Sequence, residues 1–220
     1  MIEARDLAVM RGEQVLFAKL SLSLAAGEVM RLSGPNGSGK TTLLRILCGL
    51  TEADAGSVLW QGKSVASQRS EFNQSLLFLG HKAGLTPEMS ARENLNVLCG
   101  LQRIVSDSEI EAALEGAGLA GRADQPVLTM SAGQQQRVKL ARLSLSSVPL
   151  WILDEPLTSL DSDGQEWLEQ QLEAHAASGG AALLTTHQEL SGSNIRTLDI
   201  SQFKADAADL QPDYEDSASV

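Results

Sequence analysis

Gly34-Pro35-Asn36-Gly37-Ser38-Gly39-Lys40-Thr41-Thr42 separates two segments of different period. Before it, Val29 to Ser33 reads as a short apolar strand. After it, Leu43, Leu44, Ile46, Leu47 and Leu50 share one wide apolar stripe, so Thr41–Leu50 reads as a helix, ended by Gly49 or by residues just after Leu50. The run has the form G-x-x-x-x-G-K-[ST], and in this strand-to-helix setting it predicts a phosphate loop. Glycines let backbone N–H groups converge on phosphate oxygens, and the helix N-terminus adds a favourable dipole. Lys40 is expected to reach the β/γ-phosphates of a nucleotide, and the Thr41 hydroxyl to coordinate Mg²⁺.

Upstream, Leu20, Leu22 and Leu24 alternate with Ser21 and Ser23, the pattern of a half-buried strand. Far downstream, Leu150-Trp151-Ile152-Leu153 is a buried-strand run ending in Asp154-Glu155. A helix follows near Gly164–Ala177, then an apolar strand, Ala181–Thr186, ending at His187. This alternation implies an α/β core with a mostly parallel sheet, and ligands of such sheets bind at the carboxyl ends of the strands. Asp154 is placed to hold Mg²⁺, directly or through water. Glu155 is placed to orient or deprotonate an attacking water.

Between about Gly84 and Ser146 the chain turns helical. Three helix starts carry Ser followed three residues later by Glu or Gln: Ser90/Glu93, Ser106/Glu109 and Ser131/Gln134. The third continues through Val138, Ala141 and Leu145. This region is expected to be a lobe, about 84–146, inserted into the α/β core. Met130-Ser131-Ala132-Gly133-Gln134 offers a capped helix start with a free Gly133 N–H, hence a second anion site. One nucleotide has one γ-phosphate, already cradled by the phosphate loop. A second phosphate-shaped site suggests a sandwich dimer, in which the loop of one subunit faces the capped helix of the other. Taken alone, the segment reads equally as a well-capped amphipathic helix.

The chain has 220 residues, 43% of them hydrophobic, enough to bury a core. Lys and Arg number 17 against 28 Asp and Glu, a net charge of −11, which disfavours a DNA or RNA clamp. Part of the acidity sits in a C-terminal tail, 203–220, with Asp206, Asp209, Asp213, Glu215 and Asp216 against Lys204. That tail reads as a solvated terminus. Cys48 and Cys99 lie in apolar helical patterns and read as small buried hydrophobes in a reducing compartment. The histidines have no metal-ligand spacing. The start of the chain carries Glu3 and Asp6 and no long apolar run, unlike a signal peptide. No stretch approaches ~18 consecutive apolar residues, so any membrane path is expected from another chain.

GPNGSGKTT, MSAGQ, LWILDEP, SLD at 159–161 and His187 in TTH resemble, in order and spacing, the ATP-binding subunits of ABC transporters. The resemblance covers about Met1 to Gln202. It implies an ABC-type P-loop core with an antiparallel β subdomain and an inserted helical lobe, working with ATP and Mg²⁺ as a homodimer. It implies ATP contacts along Gly34–Thr42. Ser131, Ala132, Gly133 and Gln134 would act in trans, with Ser131 and Gly133 on the γ-phosphate. Asp161 would couple the two sites, and His187 would act as the γ-phosphate switch, alongside Lys40 and Glu155 in catalysis.

Two positions depart from the family pattern. His81, counted back from Glu93-Asn94, stands where the family usually has a Gln that touches Mg²⁺ or water and senses the membrane partner. Its imidazole could do so through a ring nitrogen, or be an ordinary strand-end histidine. The family's adenine-stacking aromatic aligns near Arg11, whose guanidinium can stack on a base instead.

Within the family, LGH at 79–81, SAGQQQRVKLARL at 131–143, LTTHQ at 184–188 and SVLWQGK at 57–63 are similar to the CcmA-type subunits of the haem exporter in bacterial cytochrome c maturation. That similarity implies a CcmB-like membrane partner, with the ATPase on the cytoplasmic face of the inner membrane. Another small-molecule ABC exporter, or a soluble ABC ATPase on a non-membrane scaffold, remains an alternative.

Overall fold

The computed structural model describes residues 1–12, 14–81, 84–100, 102–190 and 195–204; the expected acidic tail from residue 205 onward lies outside these. Two sheets form. One is antiparallel, in the order β2-β1-β4-β5, from β1 (Ile2–Arg11), β2 (Gln14–Leu24), β4 (Ala55–Trp60) and β5 (Lys63–Ser64). Its β2 buries Leu20, Leu22 and Leu24 and exposes Ser21 and Ser23, as the alternation requires.

The other sheet is parallel throughout, in the order β6-β7-β8-β3-β9. Its members are β3 (Val29–Ser33), β6 (Leu76–Leu79), β7 (Leu150–Leu153), β8 (Ala181–Thr185) and β9 (Ile195–Asp199). Every residue of β7 and β8 is buried. Unbroken apolar runs such as LWIL are what a parallel sheet covered on both faces demands. The helices are α1 (Lys40–Leu47), α2 (Arg69–Gln74), α3 (Ala91–Gly100), α4 (Asp107–Gly116), α5 (Ala132–Leu145) and α6 (Ser162–Ala177).

The core is divided. One cluster lies under α1 between the two sheets and includes Phe17, Leu32, Leu43, Leu47, Phe72 and Ile152. A second joins α3, α4 and α5 through Leu95, Ile110, Leu114, Val138 and Ala141. A third packs α5 and α6 on the parallel sheet through Leu140, Leu143, Leu153, Leu168 and Leu184. Helix α5 therefore turns Val138, Ala141 and Leu145 to one cluster and Leu140 and Leu143 to the other.

Capping follows the sequence signals. Ser106 and Ser131 each accept from the N–H three residues on, and Glu109 and Gln134 accept in return from the cap N–H. Ser90 and Glu93 make the same reciprocal pair at the start of α3. Helix α6 begins two residues before the expected Gly164, because the Asp161 carboxylate accepts from the Gly164 N–H and caps it. Both cysteines are free and buried, and burial pushes the thiols of Cys48 and Cys99 up. At the far end of α6, His175 stacks on Trp151 with ring centroids 3.7 Å apart and planes 5° from parallel.

Candidate nucleotide site

Four strands of the parallel sheet end on the same edge, and each delivers a piece of the site. Strand β3 runs into 34–39, and α1 begins at Lys40. Asp154 and Glu155 follow β7, Thr186 and His187 follow β8, and Gly80 and His81 follow β6.

The loop 34–39 is built for close backbone approach. Gly34 has φ +140, and a Cβ there would lie 2.6 Å from Ile200 Cγ2. Gly39, at φ +95, lies against Phe17 and Leu16 of β2. Lys40 is buried and folds back over its own loop, its Nζ donating to the carbonyls of Gly34 at 2.7 Å and Pro35 at 3.1 Å. The first N–H groups of α1 point out of the helix with no intrahelical acceptor. The Ser38 Oγ is buried and has no partner among the described residues. An orphaned hydroxyl beside a ring of outward N–H groups fits an anionic ligand of phosphate type.

Asp154 is 2% exposed and accepts two hydroxyls: Thr41 Oγ1 at 3.0 Å and Thr185 Oγ1 at 2.8 Å. Thr41 and Asp154 thus bring two hard oxygen donors together, the type of ligand Mg²⁺ takes. The Thr185 hydroxyl also accepts from the Glu155 N–H at 2.8 Å, holding both acids by one side chain. Glu155 has φ +50, a left-handed backbone conformation uncommon for a residue with a side chain. Its oxygens lie 3.8 Å from His187 Nε2 and 3.9 Å from His81 Nδ1. Glu155, Thr158, Thr186, His187 and Gln188 line an open cleft of about 200 Å³.

The remaining expected site residues fall into two places. Ser131 and Ala132 are exposed at the start of α5, and Gln134 is engaged in the capping box. Gly133 packs so tightly that a Cβ would lie 2.7 Å from the Ser159 carbonyl oxygen. Among the described residues, no hydrogen bond joins this segment to the phosphate loop of its own chain. Asp161 caps α6 and pairs with Arg137 of α5. The Gly164 N–H, and then the Arg137 guanidinium, hold its carboxyl below the usual carboxylate range. Arg11 stands apart at the β1–β2 turn, opposite Gln14 and exposed, with no side-chain hydrogen bond or ion pair among the described residues.

Sequence reasoning missed Thr185, Gln136 and Lys139. Gln136 Nε2 donates to the Pro156 carbonyl at 2.7 Å. Lys139 is 2% exposed, and its Nζ donates to the Gly80 carbonyl at 2.5 Å. Burial pushes Lys139 down to about 8, against the pull of the Asp154 charge. A threonine in TTH and a lysine inside an otherwise buried helix face were the available signals.

A parallel sheet with a phosphate loop after one strand, and an acid pair after its second neighbour, defines a P-loop ATPase. The sequence profile described as "ABC transporter" matches residues 17–158, and the chain belongs to the ABC transporter ATP-binding family. It is an ATP-binding, ATP-hydrolysing transporter subunit. It is 49% identical over 195 residues to the cytochrome c biogenesis ATP-binding export protein CcmA of Vibrio cholerae, spanning 88% of this chain and 94% of that one. It is 48% identical to the protein of the same name from Pseudomonas putida, spanning 93% and 98%. Among solved structures, it resembles the dimeric, post-hydrolysis ATP-binding cassette MJ0796 bound to ADP and Pi. The TM-score there is 0.75 at 25% identity, over 86% of this chain and 88% of that one. A putative ABC transporter ATP-binding protein from Pyrococcus furiosus shares the fold, with a TM-score of 0.81 at 22% identity over 93% and 99%.

Proposed function

We propose that this chain is the ATPase subunit of a haem exporter serving cytochrome c biogenesis, and that it works as a homodimer beneath a CcmB-like membrane subunit. In this reading it sits on the cytoplasmic side of the inner membrane. The relatives at 48–49% identity are export proteins by name, which supports that placement.

The observation that carries the catalytic part is the join between Thr41 and Asp154, 3.0 Å apart, with Glu155 next in the chain. Thr41 and Asp154 would hold Mg²⁺, which supplies charge neutralisation on the β/γ-phosphates. Glu155 orients and deprotonates the water, and Lys40 swings from its carbonyls to the phosphates. His187, on the other side of Glu155, donates to the γ-phosphate as charge develops there. His81 reports that state to the membrane partner.

Ser131 and Gly133 serve the other subunit's nucleotide. The exposure of Ser131 at the start of α5 and the MJ0796 dimer support that assignment. Asp161 relays between the two sites through Arg137 and α6. Arg11 lays its guanidinium on the adenine. We take residues 1–202 as one ATP-binding domain with 84–146 as its partner-docking lobe; the separate apolar cluster of α3, α4 and α5 supports that division.

The test is complementation. A strain lacking the gene receives wild type or Glu155→Gln, and c-type cytochromes are measured beside membrane-bound ATPase activity. Wild type is expected to restore both and Glu155→Gln neither. Restored cytochromes with Glu155→Gln would sink the catalytic assignment, and an unaffected deletion strain would sink the haem-export role.

A further inference from the structure

Helix α5 starts at Ser131–Gly133, and one to two turns later it holds main-chain carbonyls of the two segments beside Glu155. Gln136 holds the carbonyl of Pro156, the residue after Glu155, and Lys139 holds the carbonyl of Gly80, the residue before His81. The two ties differ in kind. The last β6 carbonyl inside the sheet, that of Leu79, accepts from the Asp154 N–H at 2.8 Å. The Gly80 carbonyl is one residue past that pairing, and the Lys139 Nζ takes the place of a strand. A lysine 2% exposed, held to a single carbonyl, costs free energy to bury, and packing alone would favour an aliphatic side chain there. Lys139 also lies between the two faces of α5 that grip different apolar clusters. The Lys139–Gly80 bond thus ties α5 to the segment just past the end of β6, beside the Gln136–Pro156 tie to the segment past β7.

We propose that Lys139 is a positioning residue that couples the two ATP sites of the dimer, linking the γ-phosphate-facing start of α5 to the Gly80–His81 segment beside Glu155. When Ser131 and Gly133 close on the partner's nucleotide, α5 moves as a rigid rod. Through Lys139 that movement draws Gly80 and sets His81, 3.9 Å from the Glu155 carboxylate, for hydrolysis in its own site. Engagement of one nucleotide thereby primes the other. The inference rests on the trans-dimer reading above.

The experiment uses the full chain. Lys139→Met keeps the volume and removes the donor, and Lys139→Arg keeps a donor. Steady-state ATP hydrolysis is measured against ATP concentration, together with nucleotide binding to the monomer. Lys139→Met is expected to bind nucleotide within about twofold of wild type, to turn over at least fivefold more slowly and to lose the cooperative dependence on ATP. Lys139→Arg is expected to recover most of both. In a His81→Ala background, adding Lys139→Met should change turnover by less than twofold, because the two residues act in one chain of contacts. Independent, multiplying losses overturn the coupling, as does a cooperative wild type matched by Lys139→Met. If Lys139→Met does not fold, Lys139→Gln replaces it, with the same outcomes deciding. A wild type that neither dimerises on ATP nor shows cooperativity overturns the trans-dimer reading itself, and the inference with it.

Discussion

The Thr185 hydroxyl donates a 2.8 Å hydrogen bond to the Asp154 carboxylate, and the same oxygen accepts from the Glu155 N–H. One side chain of β8 thus sets both acids of β7. Thr185→Val keeps the shape and leaves a buried carboxylate oxygen and an N–H without their partner. A stability loss of about 1–3 kcal/mol follows from such unsatisfied groups. A roughly 10- to 100-fold lower turnover follows if the acids shift. Denaturant unfolding and single-turnover hydrolysis check the two effects. Lost stability with unchanged turnover would reduce Thr185 to a packing role.

Glu155 stands between two imidazoles, and the two are expected to fail differently. His187→Ala should lower basal turnover while nucleotide binding persists, since its hydrogen bond strengthens only as charge builds on the γ-phosphate. His81→Ala should lower the partner-stimulated rate more than the basal one. Lys40→Ala should weaken binding itself. Glu155→Gln should bind and turn over ~10²-fold more slowly or worse. Equal binding loss in the Lys40 and His187 variants would show one of them misassigned.

Gly133 has no room for a side chain, because the obstacle is the Ser159 main-chain carbonyl at 2.7 Å from any Cβ. Gly133→Ala must push α5 off the segment 159–161 or tilt its first turn. In a Glu155→Gln background, expected to bind ATP and turn it over slowly, wild-type Gly133 should give an ATP-dependent dimer by light scattering, and Gly133→Ala a monomer. A normal dimer from the alanine variant counts against the trans contact.

Stability should respond to acid through His175. Burial against Trp151 lowers its pKa below the ordinary value, so the unfolded chain takes up the proton first as pH falls. The stability held by the neutral ring is complete above about 6.5 and drains away as pH drops from there. His175→Phe preserves a stack but cannot titrate. Melting curves at pH 7.5 and 5.5 should show a smaller acid shift for the variant, by a few degrees, given roughly 2–4 °C per kcal/mol for a chain of this size. Identical shifts would remove His175 from the acid response.

The phosphate loop, the acid pair and the three serine caps were legible in sequence because each is made by residues within a few positions of one another. The second half of β2, from Leu20 to Leu24, was legible by its alternation. Its neighbour β1 was not: register shifts between Ala4 and Leu7, Leu7 and Val9, and Val9 and Met10 break the two-residue period. In α5 the stripe of Val138, Ala141 and Leu145 marked only one of two buried faces, so Lys139, which lies between them, was not read as interior. Its tie to Gly80 spans 59 residues and the Thr185–Asp154 bond spans 31. No local pattern encodes such pairs; only the order of strands in the sheet brings them together.

Cys48 ends the helix that begins at Lys40, its N–H bonded to the Leu44 carbonyl at 3.0 Å and its thiol sealed in the core. A protonated, enclosed thiol does not react with alkylating agents, so modification waits for α1 to open. A ligand held at the other end of α1 suppresses that opening by its own binding free energy, about a hundredfold when its concentration is a hundred times Kd. The chain therefore carries an internal clock. The rate at which an iodoacetamide-type reagent labels Cys48, set against Cys99 in the cluster of α3, α4 and α5, measures how firmly the nucleotide end of α1 is held, without any engineered probe.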